Sequence, residues 1–237
     1  MEVFISAPFG NYIQPKKCIP VTGTWTLESR GNRLWKILTT LRYNSKLEGW
    51  QNKLGLPNPG ILKGLSKILP HQILSVAEIK DGDFKLLSKI VPFDQNIEIN
   101  LSCPNVDALT SWKSIKYFMD TDLRHYCIAK VGPLTSLDDL KFLIDEIGLK
   151  QLHFCNTLPL SNNRGGISGK ILIPYTKDLI RVTRKNWGND IEIIAGGGIQ
   201  NIGHATEYLN EGANHISLGS VCFHPLKLWK LLRALNG

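Results

Sequence analysis

From about residue 71 onward, short apolar segments rich in β-branched residues alternate with longer amphipathic segments. The short segments have the length of strands, and the longer ones have the period of helices. This alternation predicts a parallel sheet built from βα units. The predicted strands are residues 72–77, 96–101, 125–131, 151–155, 191–195 and 215–218. The predicted helices are residues 81–90, 173–185, 201–209 and 226–235.

A further helix is predicted to begin after Ser136, which forms a capping signal with Asp139. The apolar residues that follow recur at helical spacing and would form one buried face. They are Leu137, Leu140, Leu143, Ile144 and Ile147.

Residues 3–7 and 19–22 supply two more candidate strands, which brings the total to eight. Eight βα units predict a (β/α)8 TIM barrel, here as a single domain over residues 1–237. The segment between the first two strands is short for a parallel crossover and contains Pro8, Gly10 and Pro15. We therefore expect the first helix to be missing or reduced to a turn, and a partner subunit in a homodimer would be one way to cover that thin place.

Composition and charge restrict the partners. The formal net charge is +8, which favours anionic partners such as a phosphorylated cofactor, a carboxylate substrate, nucleic acid or an acidic membrane. The basic residues are scattered, whereas a nucleic-acid footprint usually clusters, so nucleic acid is not expected. No apolar stretch reaches the roughly 18 residues of a membrane span, and no signal peptide is evident. The expectation is a cytoplasmic protein without membrane contact.

Cysteine and histidine spacing argues against disulfides and metals. The five cysteines are far apart and form no C-x-x-C pair, which is typical of a reducing compartment. The six histidines show no spacing typical of metal ligands. We expect no metal site.

Polar residues follow five successive predicted strands. In a (β/α)8 barrel the carboxyl ends of the strands carry the active site. A core alone would not need polar residues at these places, so they predict a functional site. The residues are Asn100 and the segment up to Asn105, then Lys130, then Asn156 and Thr157, then Gly196, Gly197 and Gly198, and finally Gly219 and Ser220.

Two glycine-containing turns are candidates for binding a phosphate. Gly197 and Gly198 lie between an apolar strand and a helix, where backbone N–H groups and the helix dipole favour an anion. Gly219 and Ser220 follow the next strand, and both turns would meet at one phosphate. A mobile glycine-rich loop at residues 164–169 would add backbone next to the same ligand, with a plain flexible loop as the alternative.

Cys103 is the candidate general base. A thiol on a loop at the catalytic face can remove a proton if its surroundings adjust its pKa. Asn100 and Asn105 flank it and would hydrogen-bond a planar polar ligand. Cys127 and Cys155 fall within predicted strands and are interpreted as inert core residues. Lys130 ends an apolar strand and would either extend to the rim of the barrel or stabilise negative charge on a ligand.

Seven segments in order resemble signatures of the dihydroorotate dehydrogenase family, from about Thr22 to the C-terminus. They are TGTWTLESRGN from Thr22, NKLGLPNPG from Asn52, EINLSCPN from Glu98, CNT from Cys155, GGISGK from Gly165, AGGGI from Ala195 and LGS from Leu218. The EINLSCPN segment is the most specific, because the family places its base there, as cysteine in the soluble class. The resemblance implies an FMN-dependent oxidoreductase that converts dihydroorotate to orotate in pyrimidine biosynthesis.

The same resemblance implies roles for individual residues. Cys103 would take a proton from C5 of dihydroorotate while hydride passes from C6 to N5 of FMN. The residues implied to bind or enclose the pyrimidine are Asn52, Gly55, Leu56, Asn100, Asn105, Asn156 and Thr157. The residues implied to contact FMN are Gly23, Thr24, Asn100, Lys130, Ser168, Gly169, Gly197, Gly198, Gly219 and Ser220. A homodimer is the family-based expectation.

Two departures from the family pattern keep other functions open. Gly23 stands where soluble members carry a lysine, a role for which Lys16 or Lys17 is an alternative, and the amino-terminal region is shortened. A related flavin barrel acting on another pyrimidine, such as a tRNA-dihydrouridine synthase, is one alternative. A degenerate barrel that binds flavin or a pyrimidine without turnover is another. The sequence does not identify the electron acceptor.

Overall fold

The computed structural model describes residues 1–31, 33–101, 112–119, 121, 123–161 and 165–236. Eight parallel strands close into a barrel, each paired with its neighbours in the order of a (β/α)8 fold. This confirms the predicted TIM barrel. In chain order the strands are Val3–Ile5, Ile19–Trp25, Ile73–Val76, Ile97–Asn100, Cys127–Val131, Gln151–Phe154, Glu192–Ala195 and His215–Leu218.

All eight predicted strands are present, with small differences at their ends. The second strand runs three residues beyond its predicted end, to Trp25. Most of the others are one or two residues shorter than predicted, because the flanking residues leave the hydrogen-bonded ladder. These shifts keep each predicted polar residue at a carboxyl end of its strand.

The helices lie outside the barrel and connect its strands. The helices are α1 Arg33–Thr40, α2 Ile61–Leu65, α3 Asp83–Ile90, α4 Leu137–Lys141, α5 Ile173–Trp187, α6 Ile202–Asn210 and α7 Pro225–Asn236. Helices α1 and α2 follow the second strand, α3 the third, α4 the fifth, α5 the sixth, α6 the seventh and α7 the eighth. All five predicted helices are therefore confirmed in position.

Helix α4 begins as predicted but does not stay α-helical. The Ser136 hydroxyl accepts a hydrogen bond from the N–H of Asp139, and the Asp139 carboxylate accepts one from the N–H of Ser136. After Lys141 the chain widens into a π-helical turn at Phe142–Glu146. Leu140 and the later apolar residues of the predicted face are buried, while Leu137 is not.

The first crossover is reduced to a single turn, as predicted. Phe9–Asn11 form a three-residue 3-10 helix between the first two strands. Gly10 packs directly on the second strand, where an added Cβ would lie 2.3 Å from the carbonyl oxygen of Val21. The chain can be this short here because the turn lies against the barrel without a side chain between them.

The barrel interior has an apolar end and a polar end. Strand residues alternate between the interior and the helices. One interior cluster consists of Phe4, Val21, Ile73, Tyr126, Ile128 and Ile194. On three of these strands the next residue with the same orientation, toward the carboxyl end, is polar, and these residues are Ser6, Ser75 and Lys130. On these strands the polar interior side chains therefore lie toward the carboxyl ends.

A second sheet of four antiparallel strands was not predicted. Its strands are, in spatial order, Arg42–Asn44, Gly49–Asn52, Gly166–Gly169 and Leu158–Pro159. The glycine-rich segment interpreted as a mobile loop is thus a strand from Gly166 onward, while Arg164 lies outside the described residues. Because Gly166 pairs with Asn52 and Ser168 with Trp50, the sheet joins the loops after the second and sixth barrel strands.

Candidate active site

A cavity of about 370 Å³ opens at the carboxyl ends of the barrel strands. This is the rim at which (β/α)8 barrels carry their active sites. Fourteen predicted site residues line it, which is the main structural support for the sequence interpretation. They are Gly23, Thr24, Asn52, Gly55, Leu56, Asn100, Lys130, Asn156, Thr157, Ser168, Gly197, Gly198, Gly219 and Ser220.

Three predicted site residues are not among those that line the cavity. Gly169 pairs with Gly49 at the end of its strand in the second sheet. It lines a neighbouring groove and not the cavity. Cys103 and Asn105 lie outside the described residues, so their roles stay predictions. Their neighbour Asn100, at the end of the fourth strand, does line the cavity.

Several apolar walls of the cavity were missed by sequence reasoning. The turn after the first strand contributes Pro8 and Phe9, and α1 contributes Ile37. Trp50 of the second sheet packs on Phe223 with ring centroids 4.4 Å apart. These segments carry no recognisable chemical motif, and only the fold brings them to the rim.

The lysine that would be expected near the start of the TGT segment has no room at position 23. Gly23 has a φ of 108°, and a Cβ there would lie 2.6 Å from the carbonyl oxygen of Ser75. Any side chain at this position would require the backbone to move. Lys16 and Lys17 do not replace it, because both are exposed and precede the amino end of the second strand, away from the cavity.

A buried ionic cluster lies below the cavity floor. Glu98 is fully buried on the fourth strand, with Lys130 Nζ 3.7 Å from Oε1 and His153 Nδ1 2.6 Å from Oε2. Lys130 is 5% exposed and also lines the cavity. It is therefore a cavity residue that is fixed by an ion pair and not a lysine extended to solvent.

The cluster fixes the protonation states of its acid and its imidazole. Burial disfavours the charged form of Glu98, but the charge of Lys130 and the hydrogen bonds from His153 and Ser75 overcome it and lower the pKa to about 2. Burial and the Lys130 charge lower the pKa of His153. At neutral pH the cluster then contains a carboxylate, an ammonium group and a neutral imidazole that donates from Nδ1.

A row of hydrogen-bonded polar side chains leads from Glu98 to the cavity. Ser75 Oγ lies 2.9 Å from Glu98 Oε1 and 3.0 Å from Thr24 Oγ1. Asn100 Nδ2 lies 3.1 Å from Thr24 Oγ1, and Asn156 Nδ2 lies 2.9 Å from Asn100 Oδ1. Of these residues, Thr24, Asn100 and Asn156 line the cavity. Ser75 was not recognised in the sequence, where a single serine in an apolar strand carries little signal.

Two helices donate hydrogen bonds to the predicted phosphate loop at residues 196–198. The Thr176 hydroxyl of α5 donates to the carbonyl of Gly196 at 3.0 Å, and the Tyr208 hydroxyl of α6 donates to the carbonyl of Gly197 at 2.6 Å. In a trans peptide the N–H points away from the carbonyl, so the N–H groups of Gly197 and Gly198 are directed away from the helices. Within the described part of the chain, neither N–H has a protein acceptor.

The neighbouring turn and an unpaired hydroxyl also suit a ligand. A Cβ added at Gly219 would meet only the Ser6 side chain, at 3.8 Å, so this turn leaves open space beside the cavity. Thr157 Oγ1 is buried, lines the cavity and has no hydrogen-bond partner among the described residues. A buried polar group of this kind is usually paired, which indicates a ligand or water at this place. These residues fit a phosphorylated, planar cofactor.

Cys155 also lines the cavity, which the sequence interpretation as an inert core residue did not anticipate. Its thiol is buried and lies 3.2 Å from the Thr176 hydroxyl. Burial raises the pKa of this thiol to about 12. It is therefore protonated at neutral pH and unsuited to act as a base, in agreement with an inert role.

Tyr208→Phe is expected to weaken binding of FMN, the cofactor that the sequence resemblance implies, by about two- to tenfold, because the loss of one hydrogen bond frees the Gly197 carbonyl and the N–H of Gly198. Fluorescence titration of the apoprotein with FMN measures the effect. Tyr117→Phe, a change at an exposed residue far from the loop, is the matched control. Equal flavin affinity for the two variants would contradict the role of Tyr208.

The cavity, its polar floor and its glycine turns define a (β/α)8-barrel protein with a site for an anionic, planar ligand. A search of protein-family models matches residues 143–232 to the family described as dihydroorotate dehydrogenase. Among curated proteins, the catalytic subunit of dihydroorotate dehydrogenase B (NAD(+)) from Endomicrobium trichonymphae is 29% identical over 84% of this chain and 72% of its own length. Dihydroorotate dehydrogenase A (fumarate) from Limosilactobacillus reuteri is 27% identical over 77% of this chain and 70% of its own length.

A solved structure shows the same fold. The Eimeria tenella DHODH in complex with ferulenol superimposes with a TM-score of 0.77 at 19% identity, over all of this chain and 82% of that one. The family model and the curated relatives thus show similarity to dihydroorotate dehydrogenases, and the solved structure shows the same fold. Among the described residues, no helix is both long and apolar enough to cross a membrane, and no cluster of metal-ligating side chains is found there.

Proposed function

We propose that this protein oxidises dihydroorotate to orotate with bound FMN, as a step in pyrimidine biosynthesis. The observation that carries the proposal is the convergence of Lys130, Asn100 and Asn156 with the two glycine turns around one cavity. An anionic, carbonyl-rich ring would find a cation and amide N–H groups there. The names of the relatives, which include both NAD(+) and fumarate types, agree with this substrate.

The proposed flavin site uses the two glycine turns and Lys130. Gly197, Gly198, Gly219 and Ser220 would hold the phosphate through backbone N–H groups, as in other barrels that use the turns after the last two strands. Lys130 would lie beside the ring, where an ammonium group stabilises negative charge. Bound FMN would supply the hydride acceptor, which no side chain can provide.

The remaining residues would bind the substrate and move its proton. Asn52, Asn100, Asn156 and Thr157 would hydrogen-bond the pyrimidine, and Gly55 and Leu56 would shape the pocket. Cys103 and Asn105, which the sequence places five residues or fewer after the fourth strand, would complete the site, with Cys103 taking the proton from C5. Cys155 would remain protonated and take no part in this transfer.

Purified protein tests the proposal in two measurements. Flavin released by denaturation is expected to be FMN by mass, and turnover with dihydroorotate and an artificial electron acceptor is expected to produce orotate. An RNA substrate in place of dihydroorotate tests the related tRNA-reducing function, for which no observation in the structure gives support. Flavin retention without any turnover of dihydroorotate would instead favour a degenerate binding barrel.

Two further expectations belong to the same proposal. A cytoplasmic homodimer is the expected state, and sedimentation at several protein concentrations measures the oligomer. The electron acceptor follows from steady-state assays with fumarate, NAD(+), a quinone and oxygen in parallel.

A further inference from the structure

We propose that Glu98, although it is separated from the cavity, determines which hydrogen-bonding groups the cavity presents to its ligand. Glu98 acts through the row of hydrogen bonds that runs from its carboxylate through Ser75 and Thr24 to the amides of Asn100 and Asn156. Glu98 and Ser75 are thus positioning residues for ligand specificity. The inference rests on the proposed function for the identity of the ligand, and on the contacts alone for the direction of the hydrogen bonds.

The donor and acceptor roles along the row are set at Glu98, because its carboxylate can only accept hydrogen bonds. Its two oxygens face the Lys130 ammonium group, the His153 ring and the Ser75 hydroxyl, and the side chain is fully buried. A carboxylate in such surroundings stays ionised and has no proton to donate. The single hydroxyl proton of Ser75 is therefore committed to Glu98.

The orientation of the Ser75 hydroxyl determines which atom donates in its contact with Thr24. With its proton used, Ser75 Oγ can only accept from Thr24 Oγ1, 3.0 Å away. The Thr24 proton is in turn committed to Ser75. Thr24 Oγ1 is left as an acceptor toward Asn100, at 3.1 Å.

The orientations of the Asn100 and Asn156 side-chain amides follow from the same reasoning. Asn100 must turn Nδ2 toward Thr24, since the opposite orientation would place its carbonyl oxygen against an oxygen without an available proton. Its Oδ1 then faces Asn156, which must turn Nδ2 toward it, at 2.9 Å. A second contact agrees with this orientation, because Asn156 Oδ1 accepts from the N–H of Thr157 at 2.9 Å.

The result is a cavity whose amides offer donors. Each amide has two N–H groups and uses one of them in the row. Among the described residues the second N–H of Asn100 and that of Asn156 have no acceptor, which leaves them for a ligand in the cavity that both residues line. Such a site recognises carbonyl and carboxylate oxygens and disfavours ligands that present N–H groups at the same positions, as unpaired buried groups are costly.

Ser75→Ala and Ser75→Cys interrupt the row and leave both members of the ion pair, Glu98 and Lys130, in place. The row requires a donor at this position, so affinity for orotate should fall in the order serine, cysteine, alanine. We expect about tenfold weaker binding for Ser75→Ala and an intermediate value for Ser75→Cys, whose thiol is a weak donor. Perturbation of the flavin absorbance by orotate measures the dissociation constant, and affinity for FMN is expected to change by less than about twofold.

The control is Ser88→Ala, which removes a similar buried hydroxyl on α3 whose partner in the described part of the chain is the carbonyl of Lys85. It should bind orotate as the wild type does. Orotate binding by Ser75→Ala within about twofold of wild type would overturn the proposal. Equal binding by Ser75→Cys and wild type, with only Ser75→Ala impaired, would also overturn it, because packing and not hydrogen bonding would then explain the loss.

A second measurement keeps the inference separate from the proposed function. If the wild-type flavoprotein binds no orotate, the proposed substrate is wrong, and the row is tested by NMR of the side-chain amides of Asn100 and Asn156. Slow hydrogen exchange of these groups in the wild type, with at least about tenfold faster exchange in Ser75→Ala, would support fixed orientations. Equal exchange in both proteins would overturn them.

Discussion

Cys103→Ala is expected to slow the reduction of bound flavin by dihydroorotate by about 10²- to 10⁴-fold, the usual cost of removing a general base. The variant would keep its flavin and bind orotate with little change, because the side chains proposed for those tasks are left unchanged. Anaerobic stopped-flow measurement of flavin bleaching gives the rate constant directly.

Cys127→Ala is the matched control for this experiment. Burial raises the pKa of the Cys127 thiol to about 11, and its sulfur lies 3.6 Å from that of Met119, away from the cavity. Its rate of bleaching should stay close to that of the wild type. A Cys103→Ala variant that bleaches as fast as Cys127→Ala would remove Cys103 from its proposed role.

Glu98→Gln is expected to lower the free energy of unfolding by about 3 to 5 kcal/mol, because it leaves the buried Lys130 ammonium group without its counter-charge. Glu207→Gln is the comparison, since Glu207 pairs with Lys177 on the surface and its loss should cost less than about 1 kcal/mol. Urea denaturation measures both. A loss below about 1 kcal/mol for Glu98→Gln would show that the ionic cluster contributes little to stability.

The lowered pKa of Glu98 predicts how the stability of the protein changes at acidic pH. The pKa of Glu98 is lowered in the folded protein to about 2 from its ordinary value of 4.5. Its contribution to stability is therefore complete above about pH 4.5 and is lost as the pH falls toward 2. In Glu98→Gln that part of the acid dependence should be missing.

The barrel could be predicted because its signals are local. Each buried strand is a short apolar segment, each following helix has its own period, and the shortness of the first crossover is visible in Pro8, Gly10 and Pro15. The second sheet could not be predicted, since its pairing of Ser168 with Trp50 joins segments that are distant in sequence. Glycine-rich strands carry almost no period, so that segment was interpreted as a loop.

The candidate site was predictable where polar residues end apolar strands. Asn100, Lys130 and Asn156 carry that signal and line the cavity. Ser75 and His153 lie within strands, and their importance comes only from their contacts with Glu98. The role of such side chains can be recognised only when the register of the neighbouring strands is known.

Anaerobic addition of dihydroorotate to the purified wild-type flavoprotein tests the central claim most directly. The flavin absorbance should bleach completely with about one equivalent of substrate per flavin, and orotate should appear in the same amount. Flavin that stays oxidised in the presence of excess dihydroorotate would contradict the proposed function.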